Sequence, residues 1–273
     1  MTPRLFPPDD PASLIITKAL QCGADLAGIA SVEDLRRSPS HRVAQLLPEY
    51  TGVGTLAEGD GKRGAVRWPS DARSAIVLAV AHPEDEPELD WWLGDGASGD
   101  TPGNKSLIAA VGRLADWLEA EHGVCCHRIA YHVERGGAYM KDAAMLAGIG
   151  RVGINNLLLT REFGPRHRLR VLLPDAVLPS TGPPDWDPCE GCPAPCRAAC
   201  PRGAFRGAVY TMGEYGIAEL PGRDGAFDRR LCNLQMQADE KASELTTMHG
   251  HDAPAYATRY CRACELACIA GER

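Results

Sequence analysis
The strongest constraint on this chain is the run from Cys189 to Pro201, Cys-Glu-Gly-Cys-Pro-Ala-Pro-Cys-Arg-Ala-Ala-Cys-Pro, with thiols at Cys189, Cys192, Cys196 and Cys200. A second set follows at Cys232, Cys261, Cys264 and Cys268. Together they make eight of the 11 cysteines, the number that two four-iron four-sulfur (4Fe-4S) clusters need. A cubane cluster presents four iron corners. A tight loop with cysteines two or three residues apart reaches three of them, and the fourth ligand comes from elsewhere. In the bacterial two-cluster run, the fourth cysteine, the one before proline, ligates the other cluster. By that logic Cys189, Cys192, Cys196 and distant Cys268 form one ligand set, and Cys200, Cys232, Cys261 and Cys264 the other. Ligands crossing between the segments would lock them together. The run departs from the common pattern twice: three residues separate Cys192 from Cys196, and Ile269 stands where a second Cys-Pro is expected. Neither departure removes a ligand. Structural zinc, which also uses paired cysteines in all-thiolate tetrahedral sites, is the alternative, and disulfides are a further one.

Disulfides belong to oxidising compartments. The opening residues, Met-Thr-Pro-Arg-Leu-Phe-Pro-Pro-Asp-Asp, have no apolar core of a secretory signal, and Arg36-Arg37 lies too far in for a twin-arginine one. The reducing cytoplasm is therefore the expected location. No apolar run approaches the roughly 20 residues that span a bilayer, so no membrane association is expected. At 273 residues with 44% apolar content, the chain can bury a core of ordinary size plus a smaller unit. A net charge of −7 argues against general nucleic-acid binding, which needs a basic surface. The one basic stretch, Arg161 to Arg170, reads as an exposed strand and turn with solvated charges.

Apolar spacing predicts a helix from Asp10 to Gln21 closed by Gly23, then a strand from Leu26 to Ala30. Residues 31 to 70 read as a surface excursion with a short helix near His41 to Leu47. The continuous apolar run Ala75 to Ala81 predicts a strand buried on both faces, hence a central sheet. Pro83 to Gly103, with Trp91 and Trp92, reads as a loop folded over the core. Leu107, Val111, Leu114 and Leu118 mark one face of a helix over Lys105 to His122, with Asn104 as its N-cap. A strand from His127 to Val133, a helix from Ala138 to Ala147, and strands at Leu157 to Thr160 and Leu169 to Leu173 complete an α/β (α+β) domain over residues 1–178. Pro179 to Pro188, rich in proline, reads as the linker to a ferredoxin-like domain over 179–273. Cys22, Cys125 and Cys126 read as small buried hydrophobes, and His249 and His251 as solvated loop residues.

The remaining unusual stretch runs from Tyr131 to Asn156. Gly148, Gly150 and Gly153 match Gly-x-Gly-x-x-Gly, but they close a helix and precede a strand, the reverse of the dinucleotide fingerprint. Ala147-Gly-Ile-Gly-Arg-Val-Gly-Ile-Asn155, followed by Leu157 to Thr160, Phe163-Gly164 and the cysteine run, resembles the epoxyqueuosine reductase family. The resemblance covers the chain from about Leu14 to Cys268. It implies a nitroreductase-like cobalamin-binding domain joined to a domain with two 4Fe-4S clusters, which pass low-potential electrons to the cobalt. It implies a cobalamin site at Gly148, Gly150, Gly153 and Asn155, and it sets Glu134 where these enzymes carry a catalytic acid. Tyr131 and His132 are neighbouring proton donors, pointing to opposite faces of an alternating strand. A redox partner such as ferredoxin or flavodoxin follows. The alternative is an electron-transfer protein or reductive activator acting on a corrinoid protein.

The sequence departs from the family pattern at Ile154, where a lysine is expected, at Gly137 in place of proline, and at Pro102 to Lys105 in place of an Asp-Tyr-His segment. It ends five residues after Cys268, without the C-terminal extension that helps hold tRNA. On these grounds tRNA is not expected as a partner.

Overall fold
The computed structural model describes residues 4–5 in backbone, 10–44, 46, 66–94, 100–131, 133, 137–247 and 254–271. After β1 (Arg4–Leu5), helix α1 (Pro11–Gln21) is capped by the Asp10 carboxylate, which accepts from the Ser13 N–H at 3.1 Å. Strand β2 (Leu26–Ser31) runs into α2 (Val32–Arg36), capped by the Ser31 hydroxyl, and α3 (Pro39–Val43) follows. Strand β3 (Ser74–Ala81) leads through a 3₁₀ turn at Pro87–Asp90 to β4 (Trp92–Leu93) and α4 (Pro102–His122). Then come β5 (Cys126–Arg128), α5 (Met140–Leu146), β6 (Arg151–Val152), β7 (Leu158–Leu159), β8 (His167–Pro174) and β9 (Ala176–Val177).

The central sheet has the order β2-β3-β8-β5, antiparallel throughout. Alternation along β3 sends Ile76 and Leu78 to one face and Ala75, Val77 and Ala79 to the other. Helices α1 and α4 cover the first face, with Ile15, Leu107, Leu114 and Leu118 wholly buried. Helices α2 and α5 cover the second, through Leu35, Ala143 and Ala144. Both faces are covered, which explains the continuous apolar run in β3 even though its neighbours are antiparallel. Each fully buried leucine contributes about 1.5–3 kcal/mol. Small residues bring α5 close to the sheet: a Cβ at Gly28 would strike the Ala147 carbonyl.

The cap of α4 is Thr101, whose hydroxyl accepts from the Asn104 N–H at 3.1 Å. Asn104, expected as the cap, lies in the first turn, and its amide oxygen takes both Nε and Nη2 of Arg170 at 3.0 and 2.8 Å. Strand β5 ends at Arg128, well short of Val133, because only Cys126, His127 and Arg128 find partners on β8.

The cysteine-rich part contains α6 (Pro195–Ala198), α7 (Met212–Tyr215), α8 (Arg229–Lys241), strands β10 (Glu244–Thr246) and β11 (Ala255–Thr258), and α9 (Ala263–Leu266). Strand β11 pairs with both β10 and β4. The tryptophan segment, expected as a loop over the core, thus contributes a strand to a sheet completed by the C-terminal part. Arg259 stacks over the Trp91 ring at 4.5 Å. Among the described residues, no helix is long and apolar enough to cross a membrane.

Candidate functional site
Helix α6, which carries Cys196, packs on α9, just before Cys268. Cys189, Cys196 and Cys268 share an apolar cluster with Ile154, Leu157 and Leu159, against which Cys264 also packs. Burial pushes the Cys196 thiol up to about 11, and charge on Cys268, Cys192 and Cys189 adds to it. Cys268 is raised by burial and then by Cys189 and Cys192. In the other group, burial pushes Cys264 up to about 12, with Cys232, Cys261 and Cys200 contributing. Cys261 is raised by burial and by Cys232 and Cys200, and Cys232 by burial and by Cys200 against the opposing Arg229. Cys196 and Cys268 thus lie within electrostatic reach of Cys189 and Cys192, and Cys264 within reach of Cys200, Cys232 and Cys261. A thiol held up by burial and by its neighbours' charge is a poor lone thiolate. Four together suit a cationic metal group, which takes them deprotonated.

Backbone donors line the two groups. The Ile154 N–H donates to Cys189 Sγ at 3.5 Å, and the Ala204 N–H to Cys200 Sγ at 3.3 Å. The first thus touches the glycine stretch between β6 and β7. Arg197, between two of the cysteines, joins these parts: it donates to the Ile154 carbonyl at 2.9 Å and the Gly222 carbonyl at 2.9 Å, and pairs with Asp224 at 2.8 Å. Asp187 accepts from the Cys189 N–H at 2.8 Å and binds Arg223 through both oxygens, at 2.7 and 2.6 Å. Lys141, from α5, donates to the Asn156 carbonyl at 2.5 Å, and desolvation lowers its pKa to about 8.

The glycines close on the chain's own atoms. A Cβ at Gly148, where φ is +75°, would meet the Gly182 carbonyl; at Gly150 it would meet the Leu159 carbonyl; at Gly153 it would come within 2.6 Å of the Leu159 side chain. Asn155 is buried, and its Oδ1 accepts from the Leu157 N–H at 3.2 Å. Its Nδ2 has no hydrogen-bond partner among the described residues. Glu134, His132, His249 and His251 lie outside the described residues. Tyr131 is exposed, with the Arg170 guanidinium 5.1 Å over its ring. Cys22 is buried and Cys126 packs against the core, as expected; Cys125 is exposed, because it lies on the other side of the edge strand from Cys126.

Sequence reasoning missed a buried charged cluster where the two parts of the chain meet. Asp90 accepts from His82 Nδ1 at 2.8 Å and pairs with Arg168 and Arg262, each at 2.8 Å. Glu265 pairs with the same two arginines, at 3.2 and 2.5 Å. Arg262 and Glu265 flank Cys261 and Cys264. No spacing rule marks these residues, since their partners are far away in sequence. An open groove of about 520 Å³ lies nearby, lined by Ala81, Glu84, Asp85, Phe163, Arg166 and Leu266 among others.

No family model matches the chain. Epoxyqueuosine reductase of Pseudomonas aeruginosa is 30% identical over 220 residues, 73% of this chain and 58% of that protein. This chain therefore spans a little over half the length of the curated relative it matches. In three dimensions it is similar to epoxyqueuosine reductase from Streptococcus thermophilus, with a TM-score of 0.57 and 19% identity, covering 94% of this chain and 65% of that one. It is also similar to an epoxyqueuosine reductase held with a tRNA-Tyr epoxyqueuosine-modified stem loop, with a TM-score of 0.56 and 17% identity, covering 94% and 64%. The mixed α/β fold is thus that of these proteins. The stem loop on that neighbour overturns the expectation that tRNA is no partner. That expectation leaned on Ile154, Gly137, Pro102 to Lys105 and the end of the sequence, whereas tRNA binding depends on where local donors and cations meet phosphates and bases.

Proposed function
Taking the chain as an epoxyqueuosine reductase-like protein, we propose that it is an iron-sulfur oxidoreductase. Residues 179–273 hold two 4Fe-4S clusters and residues 1–178 form the domain that receives their electrons. Cys189, Cys192, Cys196 and Cys268 ligate one cluster, and Cys200, Cys232, Cys261 and Cys264 the other. What supports this reading is that Cys196 and Cys268 are raised by Cys189 and Cys192, and Cys264 by Cys200, Cys232 and Cys261, so that thiols of both segments lie close together. When bound, the clusters supply low-potential one-electron transfer.

The chain's own residues do the rest. Ile154, Leu157 and Leu159 exclude water from the first set, and the Ile154 N–H stabilises the Cys189 thiolate. Cys261 is exposed, so the second set faces the electron donor and the first, against β6 and β7, faces the α/β domain. Arg197 and the cluster around Asp90 hold the two parts in register.

The likeness extends the proposal to a cobalamin as electron acceptor in residues 1–178. Gly148, Gly150 and Gly153 serve such a cofactor only by shaping the backbone around Asn155, since Gly182 and Leu159 occupy the space beside them. Glu134 is the proposed proton donor to the oxygen leaving the substrate, provided that burial keeps its carboxyl protonated. The substrate class is an epoxide-bearing base in tRNA: two electrons and two protons remove the epoxide oxygen as water and leave a carbon–carbon double bond.

The test is anaerobic incubation of iron-loaded protein with cobalamin, a low-potential chemical reductant and an epoxyqueuosine-bearing anticodon stem loop, read by mass spectrometry of the digested RNA. Loss of one oxygen from the modified base is expected. Unchanged RNA alongside fully reduced clusters would overturn the substrate assignment.

A further inference from the structure
A second constellation lies apart from the eight gathered cysteines, at the free edge of the central sheet. Cys125, just before β5, and His127 within it stand two residues apart in extended backbone and so share a face, while Cys126 turns the other way and packs against the core. Asp71, in the turn that leads into β3, stands across from them, and its Oδ1 meets His127 Nε2 at 2.8 Å. The ligand atoms of Asp71, Cys125 and His127 all lie within 4.8 Å of one another. The backbone on the thiol side is held in place: the Cys125 N–H donates to Asp175 Oδ1 at 3.0 Å, and the Cys125 carbonyl accepts from the Asp175 N–H at 3.0 Å. Asp175 adds a second carboxylate beside the group.

A thiolate, an imidazole and a carboxylate are the three donor types that zinc takes, at about 2.3, 2.0–2.1 and 2.0–2.2 Å. Neighbouring ligands in such a tetrahedron are separated by about 3.3–3.6 Å. The observed 2.8 Å between His127 and Asp71 therefore opens by about 0.6 Å on binding, and the thiol, within 4.8 Å of both, closes by no more than about 1.2 Å. The His127 and Asp71 side chains are 31% and 43% exposed, and Cys125 is exposed, which leaves an entry path and room for a water as fourth ligand. We propose that Asp71, Cys125 and His127 form a mononuclear zinc site, separate from the two cysteine sets and completed by water. Binding replaces the Cys125 S–H bond with a Zn–S bond and releases one proton to solvent. The metal would tie the turn before β3 to the start of β5.

The test uses full-length, iron-loaded protein, with iron measured first so that loss of the clusters is seen independently. Zinc is titrated in by equilibrium dialysis, and the metal's surroundings are read by zinc X-ray absorption. One zinc per chain is expected, with one sulfur and otherwise nitrogen and oxygen neighbours. Cys125→Ser and His127→Gln should each weaken binding by more than about tenfold at unchanged iron content, whereas Cys126→Ser should bind as wild type. Absence of zinc binding at full iron content, a shell of four sulfurs, or binding indifferent to Cys125→Ser and His127→Gln would each overturn the proposal.

Discussion

Asp90→Asn tests the charged cluster that joins the two parts of the chain. Two guanidiniums, Arg168 and Arg262, face two carboxylates, Asp90 and Glu265, with side chains 26%, 13%, 11% and 7% exposed. Asparagine keeps the shape and leaves one positive charge uncompensated. Breaking a buried ion pair from one side costs about 3–5 kcal/mol. Arg168 retains some contact with water, so the lower end, about 3 kcal/mol, applies. For a chain of this size that is a fall of roughly 6–12 °C in Tm. Burial works against the Asp90 charge, but the His82 hydrogen bond and the two arginines outweigh it and hold the carboxyl below its ordinary 3.8. The unfolded chain therefore takes up the proton first as pH falls. The difference between wild type and variant should be full at neutral pH and should close in acid, as pH drops through the depressed folded value. The assay is anaerobic thermal and urea unfolding of iron-loaded protein. Glu244→Gln serves as control, because its pair with Arg259 is 3.5 Å long and more than half exposed and should matter by less than about 1 kcal/mol. An Asp90→Asn variant no less stable than that control would refute the reasoning.

Other substitutions probe the ligand sets and the acid. Cys268→Ala should remove the cluster shared with Cys189, Cys192 and Cys196 and leave the other, while Cys264→Ala should do the converse. Electron paramagnetic resonance of the reduced proteins distinguishes the two, and the same signal lost from both would contradict the crossed assignment. Glu134→Gln should lower turnover by about 10²-fold or more at unchanged iron content; near wild-type turnover would remove Glu134 from the chemistry. Lys141, with a folded pKa of about 8 against an ordinary 10.5, binds fewer protons folded than unfolded between those values. Wild-type stability should therefore rise across that window by up to about 3 kcal/mol relative to Lys141→Met. Parallel pH profiles from urea unfolding would show that the amine is not desolvated.

The parts legible in sequence are those where local spacing decides. The face of α4 follows from Leu107, Leu114 and Leu118 at helical intervals, and β3 from an unbroken apolar run. That Cys268 lies near Cys189 and Cys192, and Cys200 near Cys264, agrees with a sequence spacing in which the Cys-Pro ligand crosses over. What escaped depends on contacts distant in sequence. The Asp90 cluster joins residues up to 183 positions apart, from His82 to Glu265, and nothing near Asp90 announces Arg262. The glycines at 148, 150 and 153 were noticed as permissive backbone, but only the fold reveals that Gly182 and Leu159 need the space. Thr101 outcompetes Asn104 as a cap because Arg170 recruits the asparagine. Partner choice was misjudged because departures such as Ile154 and Pro102 to Lys105 say little about where local donors meet phosphates and bases.

The most direct test of the central claim is iron and acid-labile sulfide per chain, measured by chemical analysis on protein reconstituted and desalted without oxygen. Two 4Fe-4S clusters require about eight of each. About four of each, or zinc retained by the eight cysteines with no sulfide, would contradict the account.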